Sequence, residues 1–437
     1  MTSCKIKEQL DSDKLKELFT IALFLISYVV NIGTLTLAAF ALACLIVSFA
    51  DYKKSLYYLA FFTSFAGIFV YSGRHMFFVI VGLFLVKSLL QSKVTLSAFG
   101  FYVVIVLYSL IFSDYQGEFK FAKIIGLILL FAIPVVAYAS NKIDCRGFMQ
   151  HYIFGFFVST VIGFFAESIP AMYKLFDVTL LWTDNYLELT RFFGLAFDAN
   201  FYALSNYIVL AYLLFCFNDL TVFRGLLTLF LMISGALTIS KSYFLVVGII
   251  LAFYVIKNLS KVKRVAGFVL VAIVGIALFS LVSNKLGYNA IDMVLSRFIQ
   301  GATFADNTTG RVDIWIKYFN IFKSASVKQF IFGFGFNAEV KAAAHNTFLE
   351  FFYHYGVIGS GIWLAFFVYC FKVFRRNVIN FEKQSAMLLI ALLAGTFFLS
   401  AYTYEAFWLG IVISFMACGN LRLGGDSNEV QCDSINL

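Results

Sequence analysis

Apolar runs, each close to the roughly 20 residues that a helix needs to cross a bilayer, follow one another along the whole chain. They lie near 18–32, 34–50, 56–72, 75–90, 97–113, 121–139, 150–168, 200–217, 222–238, 241–258, 264–283, 346–371, 386–402 and 405–421. The runs are continuous rather than alternating, so they read as helices and not as barrel strands. The expected fold class is an all-α polytopic integral membrane protein of about 12–14 transmembrane helices, with 1–437 forming a single transmembrane domain. Two polar stretches, 169–199 and 284–345, are too long to be simple turns. Composition agrees: 62% of the residues are hydrophobic and 13% charged, against about 45–50% and 25% in water-soluble domains. The 56 phenylalanines read as lipid-facing and helix-packing bulk, and only Pro134 and Pro170 interrupt.

The net charge of +9 does not imply nucleic-acid binding, because the charges sit in short loops between apolar runs rather than on one soluble face. Their placement instead gives an orientation, since cytoplasmic loops collect Lys and Arg. With the N-terminus inside, the inner side receives Lys5, Lys14, Lys53, Lys87, Arg146, Arg224, Lys261, Arg264, Arg375 and Arg422, among others. The short outer loops then hold only Arg74, Lys120, Lys123 and Lys241. Both long loops face outward and the C-terminus returns to the inner side. The start, Met1 to Lys16, is charged and no small-residue cleavage site follows, so no cleavable signal peptide is expected. Neither outer loop contains cysteine, and no CxxC or Cys/His spacing occurs, so neither disulfides nor a metal site are expected.

Polar groups gathered at the outer boundary need a reason, because charge near hydrocarbon is expensive. Four clusters arise there. The first is Arg191-Phe-Phe-Gly194 followed by Asp198-Ala199-Asn200. Either Asp198 or Asn200 suits a helix N-cap, and Arg191 could pair with Asp198 or hold a phosphate. The second is Ser240-Lys241-Ser242, a break between two apolar helices whose lysine runs against the charge bias.

The third cluster is Thr309-Gly310-Arg311-Val312-Asp313-Ile314-Trp315 in the second long loop. Ile314, Trp315, Tyr318, Phe319 and Phe322 continue at one-face spacing, with Lys317 and Lys323 off the stripe. This predicts an amphipathic helix resting on the membrane or capping the bundle, its aromatics serving mostly as anchors. Phe332-Gly333-Phe334-Gly335-Phe336 then reads as a flexible turn without the strand–turn–helix context of a nucleotide loop. The fourth is His345-Asn346 at a helix mouth. Imidazole can exchange protons near neutral pH, although a histidine at such a place can also be a cap.

In order and spacing, TGRVDIW, the GxG turn and AHNTFLEFFYHYGVIGSG across 309–361 resemble the C-terminal signature of the bacterial O-antigen polymerase and O-antigen ligase superfamily. Arg191-x-x-Gly194 with Asp198-Ala-Asn200 resembles its arginine motif, with alanine in place of the usual proline. Ser240-Lys241-Ser242 stands where the family commonly has Ser-Arg, which keeps the charge but loses bidentate geometry. The resemblance covers roughly 190–260 and 300–365, and the N-terminal third shares only its hydrophobicity.

The resemblance implies a metal-independent glycosyltransferase, without cofactor, in the bacterial inner membrane. Its donor and acceptor would be glycans on undecaprenyl pyrophosphate, its two long loops and active site periplasmic and both termini cytoplasmic. It implies His345 as catalytic base, with Arg191, Lys241, Arg311, Arg297, Asn346 and Asn200 binding pyrophosphate or glycan. The outer side carries no DxD carboxylate pair. Polymerase is the first reading, with a chain-length regulator as a candidate partner. The alternatives are a ligase moving glycan onto lipid A–core or protein, and a lipid-linked oligosaccharide transporter.

Overall fold

The computed structural model describes residues 2–71, 74–91, 95–115, 121–139, 144–166, 191–196, 198–216, 221–285, 310–339, 343–377, 386–399 and 405–417. Arg297 and most of the first long polar stretch lie outside them, as does 286–309 of the second. Helices α1 (Thr2–Val29), α2 (Gly33–Phe49) and α3 (Tyr52–Thr63) lead through a 3-10 turn at Ala66–Ile68 to a two-residue antiparallel hairpin, β1 (Val70–Tyr71) and β2 (Arg74–His75). Next come α4 (Phe77–Leu90), α5 (Leu96–Ile111), α6 (Phe121–Leu130), α7 (Ala132–Ala139) and α8 (Cys145–Ala166). The second half contains α9 (Ala199–Phe215), α10 (Val222–Ala236), α11 (Lys241–Asn258) and α12 (Val262–Lys285). It continues with α13 (Arg311–Ser324), α14 (Val327–Phe332), α15 (Thr347–Asn377), α16 (Ala386–Thr396) and α17 (Glu405–Ala417).

Every apolar run read from the sequence falls on a helix. By length and composition, segments within α8, α11 and α15 can each cross a membrane alone, and shorter apolar helices lie on most of the remaining runs, among them Gly33–Phe49, Phe77–Leu90, Leu96–Ile111 and Ala199–Phe215. The outer helices expose apolar side chains, such as Val269, Leu270, Ile273 and Leu281 on α12. Water would not tolerate such a surface over many helices, but lipid does. The protein is an all-α membrane protein.

Three runs depart from simple spans, each for a visible reason. The run at 56–72 is helical only to Thr63, after which the Tyr28 hydroxyl lies within bonding distance of the carbonyls of both Ile68 (2.8 Å) and Val70 (2.6 Å). The run at 121–139 breaks at Phe131, three residues before Pro134, whose ring and missing N–H cannot continue the ladder. Helix α15 contains one residue with a wholly non-helical backbone, Gly356 (φ 60°, ψ −165°).

Two helices form the axis of the bundle. From Phe201 to Phe215 nearly every residue of α9 is buried, and α17 is buried from Phe407 to Ala417. A helix apolar on all sides belongs in the interior. Around α9 pack α10, α11, α16 and α17, so the N-terminus of α9, where Asp198 and Asn200 stand, opens at the middle of one end of the bundle.

Candidate active site

The loop before α9 is held by close backbone packing. Gly194 adopts a left-handed φ of 57°, and any β-carbon there would press on the Tyr202 ring at 2.8 Å. Glycine is the residue that meets both demands. The Phe192 N–H donates to Leu237 O (3.1 Å), and Arg191 Nε donates to Thr238 O (2.8 Å). The arginine strand is thereby fastened to the turn between α10 and α11, which contains the second cluster.

Asn200 joins the two. Its Oδ1 accepts from Arg191 Nη2 (3.2 Å) and from Ser240 Oγ (2.8 Å), and Ser240 Oγ also lies 2.8 Å from Ser242 Oγ. Of the two cap candidates, Asp198 is the cap, accepting from Asn200 N at 2.7 Å. Lys241 is the first residue of α11 and half-buried. Ile239, just before it, has φ 48°. For a β-branched residue this is a strained conformation that persists only where the surroundings impose it.

The third and fourth clusters meet in the same way. Trp315 Nε1 on α13 donates to Ala344 O (2.9 Å), and the Ala344 N–H donates to Glu350 Oε1 (2.8 Å) on α15. Asn346 is buried and caps α15, its Oδ1 accepting from Phe348 N (3.0 Å) and Leu349 N (3.1 Å). His345, between two such firmly held neighbours, is forced to φ 47°. Its side chain is exposed, and among the described residues no hydrogen bond engages the ring. Packing of protein around the ring, and then the Arg311 guanidinium, hold its pKa below 6.5, with the Asp198 carboxylate pulling the other way. The charges of Asp198 in the first cluster and Arg311 in the third are therefore both felt at His345 in the fourth.

Each of the four clusters has a left-handed residue shortly before, or at, a helix start: Gly194 (57°), Ile239 (48°), Gly310 (72°) and His345 (47°). Reversing the chain in this way brings four helix N-termini, and their partial positive charge, to one end of the bundle. Such an end can hold an anion between cations while an imidazole beside it accepts a proton.

The structure thus brings together Arg191, Asn200 and the Ser240–Lys241 turn, and it sets Arg311 near enough to His345, with Asn346 next in the chain, to act on the imidazole electrostatically; Arg297 lies outside the described residues. Glu350 belongs to none of the four clusters visible in the sequence, yet it pins the residue before His345. Phe332–Phe336, expected to be a flexible turn, is instead tied down: Phe334 N donates to Tyr353 O (2.8 Å) and Gly335 N to His354 O (3.2 Å). Lys123, placed in an outer loop by the charge pattern, is a buried residue of the first turn of α6. The amphipathic α13 caps the bundle, with Tyr318 buried and its ring edge-on to Tyr353 at 5.6 Å, though Phe319 is exposed.

Residues 226–364 match the family model described as O-antigen ligase, a span containing Lys241, Arg311, His345 and Asn346. No curated protein and no solved structure matches the chain. Over residues 226–364, about a third of its length, the chain is thus similar to a domain described as O-antigen ligase, consistent with the O-antigen polymerase and ligase superfamily.

Proposed function

We propose that this protein is a metal-independent glycosyltransferase of the bacterial inner membrane, acting at the periplasmic face on glycans carried by undecaprenyl pyrophosphate. Both termini are cytoplasmic in this reading, and the first assignment is polymerase. The acceptor hydroxyl of the next lipid-linked repeat unit gives its proton to His345 as its oxygen bonds to the anomeric carbon of the growing chain. The bond from that carbon to the pyrophosphate breaks, and undecaprenyl pyrophosphate leaves with the electron pair. Arg191, Lys241 and Arg311, with Arg297, offset the charge that develops on it. The observation that carries this reading is the joining of Arg191, Asn200 and Ser240 at the end of the bundle where the charges of Asp198 and Arg311 act on His345, whose ring no hydrogen bond engages among the described residues.

A ligase uses the same groups with lipid A–core or protein as acceptor, and the match to a model described as O-antigen ligase favours it equally. The transporter reading is weaker. In transporters, broken helices turn unwound backbone toward the cargo, whereas the break at Gly356 is filled by the N–H groups of Phe334 and Gly335.

A deletion strain complemented with His345→Ala or Arg191→Ala separates the readings. Lipid A–core bearing one repeat unit is expected for the polymerase. Long polymer stranded on the carrier lipid would show a ligase, repeat units trapped on the cytoplasmic side a transporter, and wild-type glycan would refute the site.

A further inference from the structure

Gly356 divides α15, leaving Thr347–Tyr355 as a half-helix with His345 and Asn346 at its head. The turn at Gly333 is pressed into the division so closely that a β-carbon on either glycine would overlap the backbone of the other. One side-chain cluster closes this joint. His354 is 1% exposed, and its Nδ1 lies 2.9 Å from Gly335 O. A carbonyl only accepts, so Nδ1 carries the proton and Nε2 is left as an acceptor. Facing Nε2 at 3.5 Å is Nζ of Lys123, 4% exposed, which donates to Phe336 O at 2.5 Å. The Tyr108 hydroxyl on α5 lies within bonding distance of both Phe332 O (3.1 Å) and Tyr355 O (3.0 Å). A buried ammonium costs several kcal/mol unless well paired, and here the pairing is spent where turn, half-helix, α5 and α6 meet.

We propose that Lys123 and His354 are positioning residues, locking the turn at 333–338 to the half-helix that carries His345 and fastening both to the N-terminal third of the chain. This rests on the glycan-transfer reading for its consequence, though not for its geometry. The half-helix is about 13 Å long at 1.5 Å per residue, so a tilt of roughly 5° at the lock moves its head by about 1 Å. Misplacement of that size can cost on the order of 100-fold in rate.

The test uses the full-length protein in nanodiscs with a lipid-linked oligosaccharide as donor and acceptor. Lys123→Met is expected to lower kcat about 100-fold with the donor KM within about threefold. His354→Asn keeps a donor for Gly335 O, loses the contact with Lys123, and is expected to have the same effect, with the double variant no worse than either. Lys123→Arg, which keeps a cation for the Phe336 carbonyl, recovers at least a tenth of the wild-type kcat. Amide exchange over 347–355 supplies a readout independent of transfer, expected to quicken about tenfold in either variant, also in a His345→Ala background. Folded variants with kcat within threefold of wild type, KM rising in step with the loss, or unchanged exchange would each overturn the proposal. If wild-type protein transfers nothing while exchange responds as expected, the glycan-transfer reading fails and the lock stands. Should Lys123→Met not fold, His354→Asn decides alone.

Discussion

Replacing Asn200 by alanine removes one acceptor that two segments share. The amide takes a charge-assisted bond from Arg191 (3.2 Å) and a neutral one from Ser240 (2.8 Å). Bonds of these kinds contribute about 1.5–3 and about 1 kcal/mol. Their joint loss, felt fully in the transition state, would lower kcat/KM roughly 70- to 900-fold. Arg191 is half-buried, and water can replace part of what it loses, so we expect a fall of about 30-fold. The assay is initial-rate transfer by purified protein, with thermal unfolding as the control for folding. Asn200→Asp completes the test. It keeps an acceptor for both partners and adds a negative charge at a helix N-terminus, where such a charge is favourable. That charge also opposes the cations assigned to pyrophosphate, so the fold is expected to survive while the donor KM rises. Folded Asn200→Ala protein within threefold of wild type would refute the argument that this amide assembles the site.

Three further outcomes follow from the same contacts. Because the base form of His345 is the neutral one and its pKa is held below 6.5, kcat/KM should rise with pH along a limb below pH 6.5 and level above it. Arg311→Gln should move that limb up and Asp198→Asn should move it down, as read from pH–rate profiles. Gly356→Ala places a β-carbon against the backbone of Gly333 and Ile331 at a left-handed φ, and should cost about 3 kcal/mol or more, seen as a lower thermal midpoint. Trp315→Phe removes the indole donor to Ala344 O and should cut turnover by about fivefold, near 1 kcal/mol, with the protein still folded.

The helices were legible because lipid leaves a backbone no choice but to satisfy itself, so a continuous apolar run predicts its own secondary structure. The break at Phe131 could be read from Pro134. The one at Gly356 could not, because glycine is common in membrane helices and only the facing Gly333 makes this one a joint. Asp198 as a cap was within reach of the sequence, but the role of Asn200 as a junction was not, since its partners come from positions 191 and 240. The polar clusters were visible as residues out of place against the charge pattern. Their meeting depends on helix order around α9, which hydropathy does not encode. Least legible was the N-terminal third, whose polar contributions to the joint, Tyr108 and Lys123, lie among long apolar stretches with no motif around them.

The central claim is tested most directly by purified protein in liposomes supplied with a synthetic undecaprenyl-pyrophosphate oligosaccharide. Wild-type protein should lengthen the lipid-linked glycan and release one undecaprenyl pyrophosphate per linkage formed, and His345→Ala should do neither. Equal transfer by the two proteins would contradict the account.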